Sequence, residues 1–271
     1  MKISTENAEF QILSALKSNR TKRSQTNEVF VEGTESIKQL IRANWEITRI
    51  VFLEGKKLSD WAESILKRYS HVRRIRMSEN IFTKLSEKEN PAELILTAKI
   101  KTHTLEGVEY KKNPVYLLFD RPSDLGNFGS ILRTADAFGI SAVFVMGHSI
   151  DVYDPKVIRS SLGSLFHTKL ILIKSTDQLE NFIQAEKIKN GLFVVGSDST
   201  GKSTLGHIEL CPPILIILGN EAKGMSVYLQ SICDEIVNIP MFGTVNSLNV
   251  ASAGSILLWE AVKNINPSIL H

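Results

Sequence analysis

From residue 114 onward the sequence carries six short apolar runs: VYLLF (Val115–Phe119), AVFVM (Ala142–Met146), KLILI (Lys169–Ile173), LFVV (Leu192–Val195), ILIIL (Ile214–Leu218) and Ile236–Ile239. Between them, Phe128–Phe138, Pro155–Leu162, Asp177–Lys189 and Ser247–Val262 have the composition and spacing of helices. A strand that is apolar at nearly every position must be covered on both faces. Alternating with helices, such strands predict a parallel sheet flanked by helices. Ligands of sheets of this kind bind beyond the carboxyl ends of the strands. Any chemistry is therefore expected in the loops that follow these runs.

The first 113 residues differ. They hold 3 of the 16 glycines and have 21 basic against 15 acidic residues, whereas the remaining 158 residues hold 13 glycines with 11 basic against 14 acidic residues. Tight turns and close backbone approach to a ligand call for glycine. The split therefore predicts two domains, and 271 residues with 43% apolar content suffice to give each a core. In the first part Ile37–Trp45, Leu58–Tyr69 and Ser78–Leu85 read as helices, and Arg49–Glu54 and His71–Met77 as strands, a small α/β unit. The polar stretch from Lys99 holds Gly107 and the pair Lys111 and Lys112 and stops at Pro114. The expected division is 1–105, a linker at 106–113, and 114–271. The basic first part would face a polyanion, although its excess also lies within the scatter of soluble domains. Two cysteines, Cys211 and Cys233, cannot staple a chain of this length, which predicts a reducing, cytoplasmic setting. The opening MKISTENAEFQILSALKSNR has no uninterrupted apolar core and the longest apolar runs fall far short of a bilayer, so neither secretion signal nor membrane span is expected.

One motif misleads. GSDSTGKS (Gly196–Ser203) fits a phosphate loop and follows a strand. That loop must open a long helix, and here Gly206 and Pro212-Pro213 follow too soon, so a polar surface turn is expected. The six histidines are scattered and none pairs with a cysteine at ligand spacing, so no metal centre is expected. A G-x-S-x-G elbow is missing as well.

Three glycine-bearing segments remain, each following or adjoining a strand. Asp120–Gly139 (DRPSDLGNFGSILRTADAFG) carries Asn127 at a turn, able to donate and accept, and Arg133 on the helix beyond. Leu218–Ser226 (LGNEAKGMS) places Glu221 between two glycines after a buried strand, as a helix N-terminal charge or a ligand contact. In Ile239–Glu260 (IPMFGTVNSLNVASAGSILLWE), Ser247 and Asn249 alternate with Leu248 and Val250 ahead of a helix of small residues that admits a closely packed partner.

Together these segments resemble the three signature motifs of the SpoU-TrmH family of RNA ribose 2′-O-methyltransferases, in the SPOUT class. N-x-G-x-x-x-R-T-A-x-x-F-G is matched by Asn127, Gly129, Arg133, Thr134, Ala135, Phe138 and Gly139. L-G-x-E-x-x-G is matched by Leu218, Gly219, Glu221 and Gly224. I-P-M-x-G-x-x-x-S-L-N-V is matched by Ile239 to Met241, Gly243 and Ser247 to Val250. The first part resembles the family's accessory RNA-binding domain in organisation, with VFVEG (Val29–Gly33) similar to its usual opening.

The resemblance implies a knotted parallel-sheet SPOUT domain whose C-terminal trefoil knot holds S-adenosylmethionine, an exception to the rule that chains do not knot. It implies a catalytic set of Asn127, Arg133, Glu221, Ser247 and Asn249, and cofactor contacts, mostly backbone, around Gly219, Ile239 and Leu248. It implies an RNA partner and a homodimer formed through the knotted domain. An arginine is an awkward base because it is always charged, so clamping of an RNA phosphate by the Arg133 fork rivals proton abstraction. Ribosomal RNA is the expected substrate, with transfer RNA or a non-catalytic RNA-binding role as alternatives. Leu125 stands where many members have proline, and Arg121-Pro122-Ser123 replaces the commoner turn.

Overall fold

The computed structural model describes all residues except 87–90, 109–111, 264 and 266–271. Residues 109–111 of the expected linker thus lie outside the described residues. In chain order the elements are β1 (Lys2–Ile3), α1 (Ala8–Ser18), α2 (Arg20–Thr26), β2 (Glu28–Glu32), α3 (Thr34–Arg42), β3 (Ile47–Leu53), α4 (Asp60–Arg68), β4 (Arg73–Met77), α5 (Glu79–Leu85) and β5 (Leu94–Lys99). Then follow β6 (Val115–Asp120), α6 (Leu125–Ala137), β7 (Ala142–Met146), α7 (Pro155–Ser160), β8 (Leu170–Ile173), α8 (Thr176–Asn190) and β9 (Phe193–Ser197). The last are β10 (Ser203–Thr204), β11 (Ile214–Leu218), α9 (Val227–Ser231), β12 (Glu235–Asn238) and α10 (Val250–Val262). Two compact units result. One comprises Met1–Lys101 with Tyr153–His167, the other Thr102–Val152 with Thr168–His271.

The first unit is a five-stranded mixed sheet in the order β1-β4-β3-β5-β2. Helices α1 and α4 start on caps that the sequence supplies: Asn7 Oδ1 accepts from the Phe10 amide and Ser59 Oγ from the Ala62 amide. Phe10, Leu13, Leu16, Phe30, Val51, Ile75 and Phe82 form one buried cluster against the sheet. Arg49 reaches the buried carboxylates of Glu9 and Glu28, each at 2.8 Å. Burial pulls the Arg49 pKa down, but the bonds and charges of those carboxylates raise it overall, so the buried charges are paired. In the Tyr153–His167 stretch, Phe166 meets the Trp45 ring edge-on at 4.9 Å, and its carbonyl accepts from the Trp45 indole at 3.0 Å.

The second unit is a seven-stranded, wholly parallel sheet in the order β10-β12-β9-β11-β6-β7-β8. Every residue of β11 is buried, which is why ILIIL shows no alternation. Each such side chain contributes roughly 1.5–3 kcal/mol by leaving water. The chain runs outward from β6 through β7 to β8, then crosses to β9 on the far side of β11. The order reverses between β6 and β11, and a crevice lies at the carboxyl ends of β9, β11 and β12.

Candidate functional site

The crevice is a cleft of about 870 Å³. Its walls are four segments: 197–199 after β9, 218–224 after β11, 238–243 after β12, and 245–250 leading into α10, with Asn127 of α6 closing one side. The 218–224 segment is a tight hairpin, in which Asn220 and Gly224 exchange backbone hydrogen bonds of 3.0 and 2.9 Å. Asn220 Oδ1 accepts from the amides of Ala222 and Lys223, fixing the turn between them. A Cβ on Gly219 would lie 2.4 Å from the Gly224 carbonyl carbon and from the Met225 nitrogen, so only glycine fits there.

Glu221 faces neighbours far away in sequence. Its Oε2 accepts from the Ser123 amide at 3.0 Å and the Ser123 hydroxyl at 2.5 Å, and its Oε1 accepts from the Asp124 amide at 3.2 Å. Asp124 in turn caps α6, accepting from the Asn127 amide at 2.7 Å. Glu221 therefore braces the loop that launches α6. Arg121, with φ +48°, reinforces the junction. Its guanidinium donates to both oxygens of buried Asp120, at 2.9 and 2.7 Å, and to the Gly224 carbonyl at 3.1 Å. The bond to Asp120 raises the Arg121 pKa, outweighing the lowering by burial. Asn220 Nδ2 donates to the Arg121 carbonyl at 2.7 Å, and the Asp120 carboxylate also accepts from the Ser226 amide at 2.8 Å.

Asn127 and Asn249 meet directly, with Asn249 Nδ2 donating to Asn127 Oδ1 at 2.8 Å. Asn249 Oδ1 accepts from the Ala251 amide as the N-cap of α10. Helix α10 thus begins at Val250, and Ser247 lies in the loop ahead of it rather than in the helix expected over 247–262. Asn127, Glu221, Ser247 and Asn249 all line the cleft, as do Gly219, Ile239 and Leu248. Arg133 does not. It stands exposed on α6 with no hydrogen-bond or ion-pair partner among the described residues. Beside it, Thr134 bonds to Ser255 of α10 at 2.9 Å.

The GSDSTGKS segment divides in two. Ser203–Thr204 forms β10 against β12, so no helix opens there and the phosphate-loop geometry is absent. Ser197, Asp198 and Ser199 enter the cleft wall, a part that reading the segment as a surface turn did not anticipate. Their position at the end of a parallel strand was the available signal. Asn220 and Lys223 also line the cleft, although neither belongs to the motif pattern.

A family model described as the SpoU rRNA Methylase family matches residues 114–259, and one described as the SpoU L30e-like domain matches residues 7–97. The chain is 34% identical over 264 residues to the 23S rRNA (uridine(2479)-2′-O)-methyltransferase of Streptomyces viridochromogenes, covering 97% of this chain and 92% of that protein. It is 26% identical over 241 residues to the 23S rRNA (guanosine(2553)-2′-O)-methyltransferase RlmP of Bacillus subtilis, covering 89% and 91% of the two chains. Its fold matches the crystal structure of the SpoU methyltransferase AviRb from S. viridochromogenes in complex with AdoMet. The TM-score is 0.88 at 35% identity, covering 95% of this chain and 97% of that one.

Proposed function

The chain belongs to the SpoU rRNA methylase family, and from that premise we propose that it methylates a ribose 2′-hydroxyl of ribosomal RNA, using S-adenosylmethionine. The observation that carries the reading is that three sequence-distant segments build one cleft. Glu221 ties the second segment to the first, and the Asn127–Asn249 bond ties the first to the third. Relatives named for a uridine and for a guanosine share the ribose as target, and the ribose is what carries over.

The cleft suits the cofactor. Its volume lies within the roughly 300–1,000 Å³ of small-molecule sites. Its walls offer backbone groups of 218–224 and 238–243 and short amide and hydroxyl side chains, the donors and acceptors that an adenosine needs. When bound, S-adenosylmethionine supplies a methyl group on a sulfonium, open to in-line attack by oxygen. The chain's own residues orient that oxygen. The paired amides of Asn127 and Asn249 fix one wall, and Ser247 lines the same cleft. Arg133, exposed and without an ion-pair partner among the described residues, reads as a fork for an RNA phosphate rather than a base, because its guanidinium keeps its proton.

Incubation with labelled S-adenosylmethionine and ribosomal RNA should place label on ribose. Arg133→Ala should lower transfer by roughly a hundredfold while cofactor binding in a titration calorimeter stays within about twofold, since that residue lies outside the cleft. Label found only on bases, or equal transfer by the variant, would remove the assignment.

Three further parts belong to the reading. The division into residues 1–105, 106–113 and 114–271 is supported by the family models ending at 97 and beginning at 114. A trefoil knot at the C-terminal end is supported by the shared cleft of segments 218–224, 238–243 and 245–250, from which α10 departs. A homodimer through this unit is supported by apolar Ile256 and Trp259, 39% and 54% exposed on α10. A cytoplasmic location accords with an RNA substrate, and no helix among the described residues is long and apolar enough to cross a membrane.

A further inference from the structure

Asp198 stands apart from the three motif segments, yet its carboxylate is held in the cleft wall by its own turn. Its amide donates to the Val237 carbonyl of β12 at 3.0 Å, and its carbonyl accepts from the Gly201 amide at 3.1 Å. Its Oδ1 accepts from both the amide and the hydroxyl of Thr200, at 2.9 and 2.7 Å. Main chain and side chain are thereby locked in one turn. The second oxygen, Oδ2, has no hydrogen-bond partner among the described residues and faces Gly224, where a Cβ would lie only 3.4 Å away. Glu221, the other carboxylate of the cleft wall, has both oxygens engaged by Ser123 and Asp124. Oδ2 of Asp198 is thus an open anionic acceptor in a half-buried setting.

The sheet order places this acceptor relative to the other candidate site residues. Strand β9, which delivers Asp198, lies between β12 and β11, whose ends deliver Ile239 and Gly219. Asn127, on the side where the methyl group must be passed on, follows β6, beyond β11. Asp198 therefore sits among the backbone segments expected to contact the cofactor, with β11 between it and the strand that leads to Asn127. A sulfonium has no proton to donate, whereas a ribose diol has two. Carboxylates at strand ends of doubly wound sheets take ribose hydroxyls for this reason. We propose that Asp198 is a specificity-determining residue of this enzyme, accepting hydrogen bonds through Oδ2 from the ribose hydroxyls of the methyl donor. The proposal rests on the cofactor reading above.

Calorimetry on the full chain tests it, with S-adenosylmethionine, S-adenosylhomocysteine, methylthioadenosine, and methylthioadenosine lacking the 2′- or the 3′-hydroxyl. Asp198→Asn keeps an oxygen for the Thr200 turn and replaces the open oxygen by a donor. Asp198→Ser keeps a hydroxyl for the turn and removes the second oxygen, and thermal melts confirm that both variants fold. Both should weaken all three diol ligands by a similar factor, roughly tenfold to a hundredfold, as for a hydrogen bond to a charged group. The wild-type protein should bind at least one deoxy ligand more weakly than methylthioadenosine, and the variants should lose that discrimination. Unchanged affinities, a loss confined to S-adenosylmethionine, or a deoxy penalty that persists in the variants would each overturn the proposal while leaving the cofactor reading intact. Failure of the wild-type protein to bind any of the five would overturn both.

Discussion

Glu221 takes partners that its own stretch of sequence does not contain. The sequence left open a ligand contact or a helix N-terminal charge. Its partners, Ser123 and Asp124, lie 98 and 97 residues away, and no local spacing could reveal them. Asn127 and Asn249 could be named as candidates through the family resemblance, whereas their bond to each other, across 122 positions, could not. The cysteines give a further test at this scale. Cys211 is exposed. Burial pushes the Cys233 thiol up to about 12, and Asp234 adds to the shift. At pH 8 its thiolate fraction falls roughly a thousandfold below that of an ordinary thiol. One thiol should therefore react rapidly with a chromogenic disulfide in the native protein, and the second only after unfolding. The sign for stability follows from the raised value. The contribution of the protonated Cys233 is complete below about 9 and fades as the pH rises from there through about 12. Two equally fast thiols at pH 8 would contradict the burial of Cys233.

Runs such as those of β6 and β11 were legible as strands because a strand buried on both faces shows itself by composition alone. Edges were less visible. Helix α6 begins at Leu125 rather than Phe128, because Asp124 rather than a later residue is its cap. The two-residue strands β1 and β10 have no pattern to read. Strand β5 occupies Leu94–Lys99, adjoining the polar stretch taken as a linker, and alternates too little to stand out. The hairpin after β11 is the element on which the cleft most depends, and Gly219 is its tightest point. Gly219→Ala would press a methyl group against main chain rather than against a yielding side chain, with two backbone atoms at 2.4 Å. Relief requires the hairpin to shift. The variant should lose about 1–3 kcal/mol of stability in urea unfolding and bind S-adenosylmethionine at least roughly tenfold more weakly. A variant with wild-type stability and affinity would show that the hairpin is looser than its hydrogen bonds indicate.

At the scale of the whole molecule, the inclusion of Tyr153–His167 in the first unit could not be read from the sequence, since it depends on surfaces that no local pattern marks. The dimer can be argued from α10. Gly254 lets this helix lie close against Ile131 and Leu218, whose methyl groups would be 2.4 and 2.7 Å from a Cβ there, which buries one face. Ile256 and Trp259, three residues apart on a common face, remain exposed. The Trp259 ring touches only one aromatic neighbour within the chain, Phe138, at 5.7 Å among the described residues. A large aromatic more than half exposed beside an isoleucine is poorly suited to water and well suited to a two-fold interface, where each copy covers the other. Sedimentation equilibrium at micromolar concentration should give twice the chain mass of 30.3 kDa. Trp259→Asp would place an unpaired charge at the centre of that interface, so the variant should sediment at the mass of one chain while keeping its far-ultraviolet circular dichroism. A wild-type protein that sediments as a single chain would remove the dimer from the reading. A variant that stays dimeric would move the interface off this face of α10.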